Sequence, residues 1–257
     1  MRSIRFVAVL LAAAAVPLLA QDIAGHIAAG EAGRCRRNAE EALTHFRAAL
    51  AMDSMNYDAL WHASQAYVDL GKPLPNNQSA RRDTLYNEGL ALAQRAVRVN
   101  ANGADGHFMV AVATGRVALT KGARDRVRYA GVVREEALRA IELNPRHDGA
   151  MHVMGRWNAE VMRLPGITKF FAKTFMGAAI FNQASWENSV NYFNQAIEIA
   201  PNNVYHHLDL GEALNDDDRH AEAIPQLQQV ASLPLGCDPS DAQYKSQAAA
   251  LLTRISR

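Results

Sequence analysis

Residues 135–161 read EEALRAIELNPRHDGAMHVMGRWNAEV. Apart from Ile141, the first part, through Leu143, is built from Glu, Ala, Leu and Arg, all strong helix formers. Asn144 and Pro145 then interrupt it, because proline lacks the N–H a helix interior needs. From Asp148 a second helical pattern begins and runs through Met151, Met154 and Trp157. The stretch is a helix, a short Asn/Pro turn and a second helix.

The same pattern occurs three more times, starting at Glu40 (EEALTHFRAALAMDSMNYDALWHASQAYVDLGK), Leu90 (LALAQRAVRVNANGADGHFMVAVATGRVALTKG) and Ser189 (SVNYFNQAIEIAPNNVYHHLDLGEALNDDD). Alanines fall at one late-helix position: Ala49, Ala96, Ala140 and Ala196. The turn position holds Ser54, Ala101, Pro145 and Pro201, and a small residue follows in the next helix at Ser64, Ala111, Gly155 and Gly211. Helices that cross at close range need a small side chain where their axes approach. β-branched alternation is absent, so the chain is expected to be all-α.

This pattern resembles the tetratricopeptide repeat (TPR) family, whose repeat is about 34 residues long. The resemblance implies an all-α, TPR-like helical-hairpin solenoid. The turn positions here lie 47, 44 and 56 residues apart. Insertions are therefore expected near Lys72–Asp83, Lys121–Tyr129 and Leu164–Ala184. The last repeat continues through Ala223, Leu227 and Val230, and a final helix, Asp241–Ile255, is expected as a cap over the last apolar face. From Gly106 to Leu235 the chain is also similar to the regulator of microtubule dynamics family. That similarity rests on Gly155-Arg156-Trp157, on the insertion MRLPGITKFFAKTFMG and on the preceding RVRYAGVVREEALRAIEL. Known members of that family act at mitochondria, endoplasmic reticulum or spindle, whereas this chain opens on an export-type signal. The resemblance is therefore carried over for the fold alone.

The chain has 257 residues, 49% of them hydrophobic and 21% charged, which excludes a disordered or collagen-like protein. Lys plus Arg total 27 and Asp plus Glu total 26, so no global charge draws it to nucleic acid. Arg2 and Arg5 precede an apolar run, Phe6–Leu19, that is shorter than the roughly 20 residues of a membrane span. Residues 1–20 are read as a secretory signal cut after Ala20, leaving one domain over 21–257 that is exported, periplasmic or secreted. Cys35 and Cys237 then sit where disulfides form. An elongated solenoid would keep them apart and a closed one would let them pair.

Catalytic motifs are not found: there is no HExxH, CxxC, GxSxG, P-loop or GxGxxG. His206 and Asp209 share a helix face, but three or four converging ligands are needed for zinc, so no metal and no cofactor are expected. Asp216–Asp218 reads as a solvated turn, and the basic stretch from Arg116 to Arg139 as a solvated helix face. The expected function is a non-catalytic adaptor for a protein or peptide. In the TPR register the concave face carries Trp61, Gln65, Asp69, Phe108, Arg116, His152, Arg156, Glu160 and Glu212. The Lys and Asn pairs with which TPR grooves grip a C-terminal carboxylate are missing, their sites holding Trp61, Gln65, Phe108 and Val112. The insertion 164–183 carries Phe170, Phe171 and Phe175. An aromatic strip of this kind buries against the solenoid, or else touches a partner or membrane. Two rival readings remain: an envelope-complex assembly factor using that insertion, or a metal protein or enzyme built on His206 and Asp209.

Overall fold

The computed structural model describes residues 22–164 and 179–256. The expected signal segment, 1–20, and Phe170, Phe171 and Phe175 lie outside the described residues. The helices are α1 (22–35), α2 (Ala39–Met52), α3 (Tyr57–Gly71), α4 (Ser79–Val99), α5 (Ala104–Ala118), α6 (Ala123–Leu143), α7 (Asp148–Arg163), α8 (Trp186–Ile199), α9 (Val204–Asp216), α10 (His220–Ser232) and α11 (Asp241–Ile255). There is no strand among the described residues. None of their helices is long and apolar enough to cross a membrane.

The turns start helices because their polar residues cap them. Asn38, Asn56, Ser185 and Asn203 each accept a backbone N–H from the first turn of the next helix, and the His147 ring does the same for α7. Each helix packs on the next, from α2 through α11. The odd-numbered helices α3, α5, α7 and α9 also touch one another, which makes them the inner row of the solenoid.

The residues aligned by the repeat sit at these interfaces. Ala49, Ala96, Ala140 and Ala196 are all fully buried, as are Ser64 and Ala111. At Gly155 an added Cβ would stand 2.7 Å from the buried Phe193 ring, and at Gly211 2.7 Å from Leu227. These glycines let the helices of neighbouring hairpins meet without a side chain between them.

Two of the expected insertions turn out to be helix. Residues beyond Lys72 form a short 3-10 turn, Asn76–Gln78, and then lengthen α4 to 21 residues; those beyond Lys121 likewise lengthen α6 to 21. The outer helices absorb part of the excess, where Ala80, Arg81 and Arg82 in one case and Arg124, Arg126 and Arg128 in the other favour helix. The third insertion is described only from Ala179. There Phe181 is buried and stacks on Trp157, their ring centroids 5.8 Å apart.

The final helix does more than cap. α11 packs on α9 and α10, burying Tyr244, Ala248 and Leu251 against Val204, Leu208 and Leu227. The segment leading into it, residues 233–240, returns to the opposite end of the solenoid. Cys237 is disulfide-bonded to Cys35 at the end of α1, across 202 residues of sequence. Arg37 donates to the Gly236 carbonyl at 3.3 Å, and Lys72 pairs with Asp238 at 2.7 Å. The array is therefore a closed ring, and the concave face expected from sequence is occupied in part by the chain's own C-terminal segment.

Candidate functional site

Closure leaves a polar cavity of about 250 Å³ inside the ring. Its walls come from the inner helices: Lys72 follows α3, Arg116 lies in the last turn of α5, Arg156 lies on α7, and Tyr205, Asp209 and Glu212 lie on α9. The C-terminal segment contributes Ser240, Gln243, Tyr244 and Gln247. Residues three or four apart share a helix face, so the α9 trio and the α11 trio each present one stripe inward.

Two of the three cations are matched by carboxylates. Lys72 is 2.9 Å from Asp69 and 2.7 Å from Asp238, and Asp69 also receives the Arg34 Nε–H at 2.9 Å. Burial opposes the Lys72 charge, but the Asp69 and Asp238 carboxylates outweigh it and hold its pKa above the usual lysine value. Arg156 donates to Asp209 at 3.0 Å and to the Tyr205 hydroxyl. Burial would raise the Asp209 pKa, yet Arg156 and His152 hold it below the usual range. Tyr205 stacks face to face on Tyr244, with centroids 4.2 Å apart, joining the inner row to α11.

Behind Asp209 a line of buried rings continues into α7. His152 Nε2 lies 3.2 Å from Asp209, the Nδ1 atoms of His152 and His206 are 3.0 Å apart, and His206 Nε2 is 3.0 Å from Asp148. Burial lowers the His152 pKa to about 4. This polar strand ties α7 to α9 and fixes the carboxylate that holds Arg156.

The structure sorts the nine concave positions into three groups. Arg116, Arg156 and Glu212 come together in the cavity. Trp61, Gln65 and Phe108 stay half-buried on the inner row outside it, and Glu160 is exposed, within 3.5 Å of Arg156. Asp69 and His152 are not groove residues. Both are buried, Asp69 beneath Arg34 and Lys72 and His152 between Asp209 and His206, because each faces the neighbouring hairpin rather than the opening. Trp157 is core, its Nε1–H donating to the Ala130 carbonyl at 2.8 Å. His206 and Asp209 serve this packing network, and no group of three or more His, Cys, Asp or Glu is placed to hold a metal among the described residues. Of the basic stretch, Arg124, Arg126 and Arg128 are exposed, whereas Arg116 turns inward.

Sequence reasoning missed Lys72, Tyr205, Ser240, Gln243, Tyr244 and Gln247. The four from the C-terminal segment carry no local signal, since only ring closure brings them to the inner face.

Comparison with known proteins agrees with this architecture. The family model of Regulator of microtubule dynamics protein 1-3 matches residues 29–256. Regulator of microtubule dynamics protein 1 of Bos taurus is 26% identical over 150 residues, 58% of this chain and 46% of that protein. Its counterpart in Pongo abelii is 25% identical over 205 residues, 79% of this chain and 64% of that protein. The chain thus spans less than two thirds of the length of these relatives. Among solved structures, TTC0263, a thermophilic TPR protein from Thermus thermophilus, superposes with a TM-score of 0.66 over 90% of this chain and 99% of that one. At 16% identity that likeness speaks for the fold.

Proposed function

The chain belongs to the Regulator of microtubule dynamics protein 1-3 family, and from that footing we propose that it is an exported, non-catalytic adaptor or scaffold that binds a protein or peptide. The observation that carries the reading is the inner row of a TPR-like solenoid on which Trp61 and Phe108 remain accessible. Both pack on the buried cluster that contains Val68 and Val110 and stay half-buried, Trp61 stacked on His62 and Phe108 tilted against His147. Aromatic anchors of this kind dominate binding energy at protein interfaces. Mitochondrial or spindle partners of eukaryotic relatives are not carried over, because a Cys35–Cys237 disulfide suits an oxidising compartment such as the periplasm.

The test is crosslinking in producing cells, capture of the protein and mass spectrometry, beside a Trp61→Ala/Phe108→Ala variant. A partner enriched with wild type and lost with the variant supports the reading. A partner held equally by both moves the interface to segment 164–183, the position of the assembly-factor reading. Capture of no protein at all contradicts an adaptor.

A further inference from the structure

Arg116 is the cation in the cavity that the fold does not neutralise. Lys72 has Asp69 and Asp238, and Arg156 has Asp209. No carboxylate or carbonyl pairs with the Arg116 guanidinium among the described residues. Burial opposes its charge, and the groups around it are the phenols of Tyr205, Tyr244 and Tyr86 and the like charge of Arg156. Lys72 feels Arg116 as a repulsive neighbour as well. Arg116 is partly buried, and a cation partly withdrawn from water without a counterion carries a cost that a bound anion would offset.

The rest of the cavity limits what that anion can be. At about 250 Å³ it falls below the roughly 300–1,000 Å³ of pockets for drug-sized ligands. Its neutral walls are amides and hydroxyls (Gln243, Gln247, Ser240, Tyr205), which suit a polar molecule and offer nothing to an acyl chain. Glu212 also lines it, beside Asp209, Arg156 and Arg163, and burial raises its pKa. The lining therefore combines a cation without a counterion with a carboxyl group that can accept N–H or O–H donors.

We infer that the closed ring holds a binding site for a small carboxylate that also carries an amine or hydroxyl group, with Arg116 gripping the carboxylate in its planar fork and Glu212 facing the donor group. A guanidinium matches a carboxylate with two parallel N–H···O bonds, which an ammonium does not reproduce. The inference does not depend on the adaptor reading, since no protein partner enters the site or its test.

The experiment uses the disulfide-bonded chain and follows thermal unfolding with sodium glutamate, acetate or phosphate, at matched ionic strength against sodium chloride. It compares wild type, Arg116→Gln, Arg116→Lys and the exposed control Arg124→Gln. Native mass spectrometry of the freshly purified proteins runs alongside. The midpoint is expected to rise with glutamate in wild type and Arg124→Gln, by a shift corresponding to roughly tenfold or more tighter binding than in Arg116→Lys. Arg116→Gln is expected to show no rise and no retained small mass. Should Arg116→Gln fail to fold, the comparison with Arg116→Lys decides alone. An equal rise in wild type and both Arg116 variants overturns the proposal. So does a rise with phosphate only, which would assign a phosphate site, and so does the absence of any rise together with a ligand-free wild-type mass.

Discussion

At Gly155 a missing side chain brings two hairpins together, because the buried Phe193 ring occupies the space a Cβ would need. Gly155→Val should cost about 1–3 kcal/mol through overpacking, read as a lower denaturant midpoint with helicity kept. A second consequence at this scale concerns pH. Burial lowers His62 and His152 to about 4, against an ordinary value near 6.5. Between those values the unfolded chain binds protons that the folded chain refuses, so stability rises with pH and is lost as pH falls through that window. Each ring should remove on the order of 2 kcal/mol between pH 7 and pH 5. Urea midpoints at the two pH values check this, and His62→Leu should shrink the difference by about half. The repeat residues were legible in sequence because each is required by its own helix crossing: the four alanines are fully buried where the alignment puts them. Asp69 and His152 were misread because the register gives the face a residue occupies. It does not tell whether the next hairpin covers that face.

At the level of elements, helices and turns were readable from caps and periodicity. Asn38, Asn56 and Asn203 cap helices that begin where the Asn-rich turns end. Of the three expected insertions, the two that lie wholly within the described residues fall where the spacing put them; what spacing could not tell was that they extend α4 and α6 as helix. The role of residues 233–240 was not legible at all, since Lys72 and Asp238 are 166 residues apart and nothing local links them. Their pairing makes a prediction about the element. Lys72→Met would leave Asp238 without its cation and Asp69 with Arg34 alone, at a cost of about 3–5 kcal/mol. Adding Asp238→Asn should restore part of that loss. Chemical denaturation of the single and double variants measures both, and a loss unaffected by the second change would show that the pair does not act as a unit.

For the whole molecule, the feature with the widest consequence is that the solenoid closes on itself. A TPR-like array built only from neighbour contacts has free ends and an open groove. Here α11 fills one end of the inner face, and the disulfide fastens its leading segment to α1. Removing a cross-link that closes so long a loop should lower stability by on the order of 2–5 kcal/mol, in reductant or in Cys35→Ser/Cys237→Ser. The hairpins should stay helical by circular dichroism, because their contacts are local. From sequence the two cysteines left open and closed arrays equally available; the choice rests on where residues 233–240 run. Both the polar cavity and the restricted groove depend on that closure. The most direct test is peptide mapping by mass spectrometry of the protein recovered from its native cells, alkylated and digested without reduction. The result predicted is a single species in which the Cys35 and Cys237 peptides are joined, with neither thiol alkylated. Recovery of both peptides alkylated and separate would contradict the closed ring.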